Sequence, residues 1–132
     1  MRLVPIALAV ALCAGATVAA TPASLAPVGQ VHVSIGPALQ AKAREYGQRD
    51  LDGLAQDLRK SVETALSRKG RLDRAGGTLD LVITDATPNR PTFAQLAAKP
   101  GLSMRSISIG GASIEGTETL AGGAPRHLSY SW

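Results

Sequence analysis

Between Gln30 and Ile35 apolar and polar residues alternate strictly, with Val31, Val33 and Ile35 on one side of an extended chain and Gln30, His32 and Ser34 on the other. Successive side chains of a strand point to opposite faces, so this period of two predicts a half-buried strand, closed by Gly36-Pro37. From Ala38 the period lengthens. Residues 38–46 read as a short helix or irregular turn interrupted by Gly47. Leu51, Leu54, Ala55, Leu58, Val62, Ala65 and Leu66 then recur in steps of three and four, which predicts one long amphipathic helix over 50–69. Asp50 suits its N-cap, and Gly70 suits the left-handed residue that ends it. The opposite face carries Asp57, Arg59, Lys60, Glu63 and Lys69, a solvated charge pattern.

Alternation returns over 78–84, where Leu79, Leu81 and Ile83 share a face and Val82 makes the other face partly apolar, as in a central strand. Residues 85–103 form a long connection with a turn of helix expected at 93–98. Alternation over 104–109 predicts a further strand, broken by Gly110-Gly111. Two more strands are expected over 112–120 and 126–132, joined by a hairpin at 121–125. This order predicts an α+β fold in one domain over 30–132. Its sheet is mainly antiparallel, of about 4–5 strands, with the long helix packed on one face.

The chain has 132 residues, 45% of them hydrophobic and 18% charged, enough to build a core. Aromatic residues make up only 3%, which argues against base-stacking platforms. The net charge of +4 is spread along the chain. Its densest basic run, Arg68-Lys69-Gly70-Arg71 with Arg74, suits the negative end of a helix dipole. Nucleic acid is therefore not an expected partner.

Residues 1–20 have the form of a cleavable signal peptide: Arg2, then an apolar stretch over 3–12, then small residues that allow cleavage after Ala19 or Ala20. Residues 21–29, small and proline-bearing, read as a flexible lead-in. With the leader removed, no stretch is apolar enough to span a bilayer. The expected location is the periplasm. Cys13 is the only cysteine, and Leu12 stands where a lipoprotein signal needs a small residue, so it reads as an apolar leader residue. The mature chain then has no thiol for a disulfide, a nucleophile or a metal.

Catalytic motifs fail on inspection. In Gly111-Ala112-Ser113-Ile114-Glu115-Gly116, Glu115 occupies the glycine position of a nucleophile elbow, and Thr117 follows where a phosphate loop needs lysine. Ser113 with His127 is the weakest candidate, a hydrolase pair that no spacing selects. His32 and His127 with no mature cysteine make no zinc signature, and no cofactor, metal or catalytic set is expected. The loop Thr84-Asp85-Ala86-Thr87-Pro88-Asn89-Arg90-Pro91-Thr92-Phe93 is stiffened by its prolines. Asn89, Arg90 and Thr92 offer donors to a ligand or partner. Arg105 is expected to pair with Asp85 or to join Arg90 in an anion site.

The segments Glu45-Tyr46-Gly47, Asp50-Leu51-Asp52, Pro88-Asn89-Arg90-Pro91-Thr92-Phe93 and Pro100-Gly101-Leu102-Ser103-Met104-Arg105-Ser106 resemble an uncharacterised family of exported proteobacterial proteins. That resemblance covers roughly residues 30–132 and carries no assigned activity. The strand–helix–strand beginning is more loosely similar to envelope accessory domains of the TolB amino-terminal-like or curli-secretion-like kind. The family resemblance also implies further residues after the last strand, so that the chain is short relative to its relatives at Trp132. A terminal edge strand would favour homodimerisation.

The function expected from these readings is a non-enzymatic periplasmic module that binds another cell-envelope protein through Asn89, Arg90, Thr92 and Arg105. The alternative is a small-ligand or anion binder using the same residues.

Overall fold

The computed structural model describes residues 26–132. The leader, its cleavage point and Cys13 lie outside the described residues. The elements in chain order are β1 (Val28–Ile35), α1 (Pro37–Gln40), α2 (Ala43–Tyr46), α3 (Gln48–Arg68), β2 (Gly77–Thr87), α4 (Phe93–Ala98), β3 (Gly111–Thr119) and β4 (Arg126–Ser131). The strands form one sheet in the order β1-β2-β3-β4.

The sheet is mixed. β1 and β2 are parallel, in register from Val31↔Leu79 to Ile35↔Ile83, while β2–β3 and β3–β4 are antiparallel. Parallel neighbours need a crossover long enough to return the chain to the same end, and the three helices between β1 and β2 supply it. Among the described residues the long helix is thus joined by three short ones, and the sheet has four strands. Central placement of β2, signalled by Val82, holds.

The alternating residues meet the helical stripe as their periods require. Val28, Val31, Leu66, Leu79 and Leu81 form one buried cluster. Leu39, Tyr46, Leu51, Ile83 and Ala86 form the other. Val33 and Leu58 pack against both, so the clusters are continuous. Leu39, Ile83 and Val28 are fully buried, each contributing about 1.5–3 kcal/mol by removal of apolar surface from water. Val28 lies at the end of the segment read as a flexible lead-in. It is instead the first residue of β1, bonded through its N–H to the Arg71 carbonyl at 2.7 Å.

Helix α3 begins at Gln48, with Gly47 at its N-cap (φ +90°) and no side-chain cap, so Asp50 is not the cap. Asp50 lies in the first turn, where a carboxylate suits the dipole. At the other end Gly70 takes φ +64°, the left-handed closure its position predicts. The helix lies on β1. Two residues of its predicted stripe, Leu54 and Ala65, therefore come out exposed.

No strand forms at 104–109. The serines of this segment satisfy backbone groups locally: Ser103 N–H donates to Ser106 Oγ at 3.2 Å, and Arg105 N–H donates to Ser103 Oγ at 3.2 Å. Such turns compete with ladder pairing. Ile107 and Ile109, the apolar half of the predicted alternation, are exposed.

Candidate functional site

An open cleft of about 400 Å³ lies where the N-terminal turns of α3 face the loop that leaves β2. Leu51 and Leu54 come from α3, Pro88, Asn89 and Arg90 from the loop, and Trp132 from the end of β4. Each element is held there for a local reason. Gly47 lets α3 start sharply after α2 and brings Tyr46 and Asp50 to the cleft wall. The β2–α4 loop is stitched to residue 108: Ser108 Oγ donates to the Pro88 carbonyl at 2.8 Å, and Ser108 N–H donates to the Asn89 carbonyl at 3.0 Å. Gly110 accepts the close approach of Asn89, whose Cβ would lie 2.8 Å from a Cβ added there.

Three of the four residues singled out from the sequence line this cleft, and they do different things. Thr92 is the N-cap of α4. Its Oγ1 accepts from Gln95 N–H at 3.3 Å while Gln95 Oε1 accepts from Thr92 N–H at 3.1 Å. This capping box spends the Thr92 hydroxyl on the helix end. Asn89 gives its main chain to the stitching and its exposed side chain to the rim. Arg90 is exposed, and its Nη1 reaches only the Met104 carbonyl, at 3.5 Å. No carboxylate among the described residues pairs with it. Its chain neighbours Pro88 and Pro91 restrict the loop backbone, so its guanidinium is presented from a stiff support.

Arg105 follows Met104 directly, but its side chain is exposed and lines neither this cleft nor the adjoining hollow beneath Arg90. It does not pair with Asp85. That carboxylate accepts from Lys42 Nζ at 2.7 Å, across from the end of α1. The hydrogen bond raises the Lys42 ammonium above its usual value and holds the Asp85 carboxyl below its own. Lys42 also stands 5.9 Å from the centre of the Tyr46 ring, tying the β2 end to the wall of the cleft.

Trp132, Leu54 and Asp50 complete the cleft without having been singled out. Trp132 was legible in principle, since Leu128, Tyr130 and Trp132 alternate and so share a face.

The hydrolase pairing does not assemble. Ser113 Oγ lies 3.3 Å from Ser131 Oγ, and His127 Nδ1 lies 3.4 Å from Thr117 Oγ1. Ser113 and the partner of His127 are four positions apart on β3, about 13 Å at the rise of a strand. Nucleophile and base need contact within a hydrogen bond. Among the described residues no three His, Cys, Asp or Glu side chains are grouped to hold a metal ion, and no helix is long and apolar enough to cross a membrane.

Fold and cleft define a mixed α/β module with an arginine-rimmed recess at the carboxyl end of β2. No family model, curated protein or solved structure matches the chain.

Proposed function

We propose that the chain is an exported, non-enzymatic accessory module of the cell envelope that holds a segment of another envelope protein in the cleft between α3 and the 86–92 loop. The observation that carries the reading is the composition of that recess. Leu51, Leu54, Pro88, Pro91 and Trp132 supply apolar wall, and Asn89, Arg90 and Asp50 supply polar groups at its rim. Polypeptide recognition needs this combination: an apolar anchor desolvated at the centre, with polar contacts that set direction. The exported location rests on the signal-peptide form of residues 1–20.

Capture from an envelope fraction tests it. Wild type is expected to retain a partner that a chain carrying Asn89→Ala and Arg90→Ala loses, with unchanged folding. Equal capture by both removes the site. The intact mass of the exported product, shorter by the first 19 or 20 residues, tests the export step.

A second reading, a binder of small anions, is favoured by one observation. Arg90 has no ion-pair partner among the described residues and stands on a stiff loop. Under that reading small anionic metabolites raise the melting temperature of wild type but not of Arg90→Ala.

A further inference from the structure

The two edges of the sheet are built differently. β1 is guarded: Val28 at its start is bonded to the 71–73 segment, and Arg59, Glu63 and Arg74 surround the hollow beside Gln30 and His32. Charges placed along an edge discourage pairing with another chain. Among the described residues β4 places only one charge along its edge, Arg126 at its first position. Every residue from Arg126 to Ser131 is exposed, and the strand contains no proline, lysine or register shift.

The direction of its free backbone groups follows from the ladder. Ala112 and Trp132 exchange N–H···O bonds in both directions, at 3.3 and 3.1 Å. Antiparallel pairs alternate between bonded and non-bonded, so Tyr130, Leu128 and Arg126 turn their backbone groups toward β3. His127, Ser129 and Ser131 turn theirs outward. On the helix side of the sheet the same strand shows Leu128, Tyr130 and Trp132, at 37%, 61% and 78% exposure. Helix α3 lies mainly on β1.

The geometry points to a second copy of this chain as the occupant of this edge, paired antiparallel about a two-fold axis through Ser129. The strand is complementary to itself. With Ser129 opposite Ser129, His127 meets Ser131 of the other copy, and all three outward-facing positions exchange two bonds per pair. Side chains on the helix side match in the same register. Leu128 faces Tyr130 of the other copy, and Arg126 faces Trp132. Aliphatic–aromatic pairs across an antiparallel ladder are stabilising, and a guanidinium beside an indole is favourable. The Arg126 guanidinium lies only at the first end of the strand, so antiparallel pairing keeps those of the two copies apart. Both α3 helices then lie on one side of an eight-stranded sheet. An edge of six residues makes a small interface against the roughly 1,200 Å² of standard stable complexes, so the dimer dissociates on dilution. This surface adjoins the cleft beside Asn89 and Arg90 and shares Trp132 with it.

Analytical ultracentrifugation of the expressed product across a wide concentration range tests the pairing. Wild type is expected to move from monomer to dimer as concentration rises. Ser129→Pro removes an outward N–H without touching the β3–β4 ladder, and Tyr130→Lys puts a charge into the stripe. Both are expected to stay monomeric at concentrations where wild type is dimeric, with unchanged circular dichroism. His32→Lys, on the β1 edge, is expected to dimerise like wild type. A wild type that is monomeric throughout overturns the proposal. So does a dimer that survives both β4 variants, or a monomer that instead takes up a strand from another protein.

Discussion

Glu118 is buried at 3% exposure, and its Oε1 accepts from Arg71 Nη2 at 2.9 Å. Arg126 of β4 donates to the other carboxylate oxygen. Arg71 also donates to the Ala26 carbonyl at 3.0 Å. One carboxylate therefore ties together the chain before β1, the turn after α3, and the neighbouring strands β3 and β4. In the apolar surroundings of Leu79, opposite it in the sheet, an uncompensated charge is costly, so the partners are unequal in what their loss does.

Glu118→Ala leaves Arg71, only 17% exposed, without its carboxylate partner. The expected loss of stability is about 3 kcal/mol, read from urea unfolding as a lower midpoint at constant m. Arg126 is 57% exposed, and Arg126→Ala is expected to cost no more than about 1 kcal/mol. A reversed order would mean that β4, not the turn after α3, depends on this carboxylate.

Lys42 and Asp85 form an exposed pair whose effect depends on pH with a definite sign. Hydrogen bonding lowers the Asp85 pKa below its ordinary 3.8, so its contribution is present above that value and is lost as pH falls through the lowered one. The Lys42 pKa is raised above 10.5, so its contribution is present below that value and is lost as pH rises through the raised one. Wild type is expected to be slightly more stable than Asp85→Asn across the interval between. The difference should vanish in strong acid and in strong base. A difference that grows as pH falls below 3.8 would contradict the pairing. Both groups are solvated, so added salt should shrink it as well.

Glycines at two positions separate propensity from packing. Gly53 lies inside α3 with nothing within 4 Å of an added Cβ. Gly53→Ala is expected to stabilise the chain by about 0.5–1 kcal/mol through reduced freedom of the unfolded state. At Gly77 an added Cβ would collide with the backbone of Thr119 and Leu120, so Gly77→Ala is expected to destabilise by separating β2 from β3. Thermal denaturation of the two variants should move in opposite directions.

Much of this fold was legible because apolar spacing reports which faces must be covered. Val31, Val33 and Ile35, then Leu79, Leu81 and Ile83, lie on the faces their alternation requires. Helix α4 occupies the predicted 93–98, where Thr92 and Gln95 form the capping box. Other features depend on contacts remote in sequence. Glu118 shares the buried face with Gly116 and Ile114, a pattern with one large apolar residue that gives no alternation to read. Its burial becomes possible only when Arg71 and Arg126 converge on it. Residues 104–109 carry a genuine alternation, but their serines find local backbone partners first. Of the residues that line the cleft, Asn89 and Arg90 were singled out by proline stiffening and donor chemistry. Thr92 proved to be occupied by a cap, and Arg105 stands apart because the segment meant to carry it into the sheet is not a strand.

The central claim is that this protein acts by contact at the recess beside Arg90. Site-specific photo-crosslinking in intact cells tests it most directly, with a photoreactive amino acid replacing Thr87, which lines the recess beside Arg90, and, in a parallel chain, replacing His32 on the open face of the sheet. A discrete adduct with a second polypeptide is expected at position 87 and none at position 32. Adducts at 32 but not 87, or no adduct at 87 in a chain that is exported and folded, would contradict it.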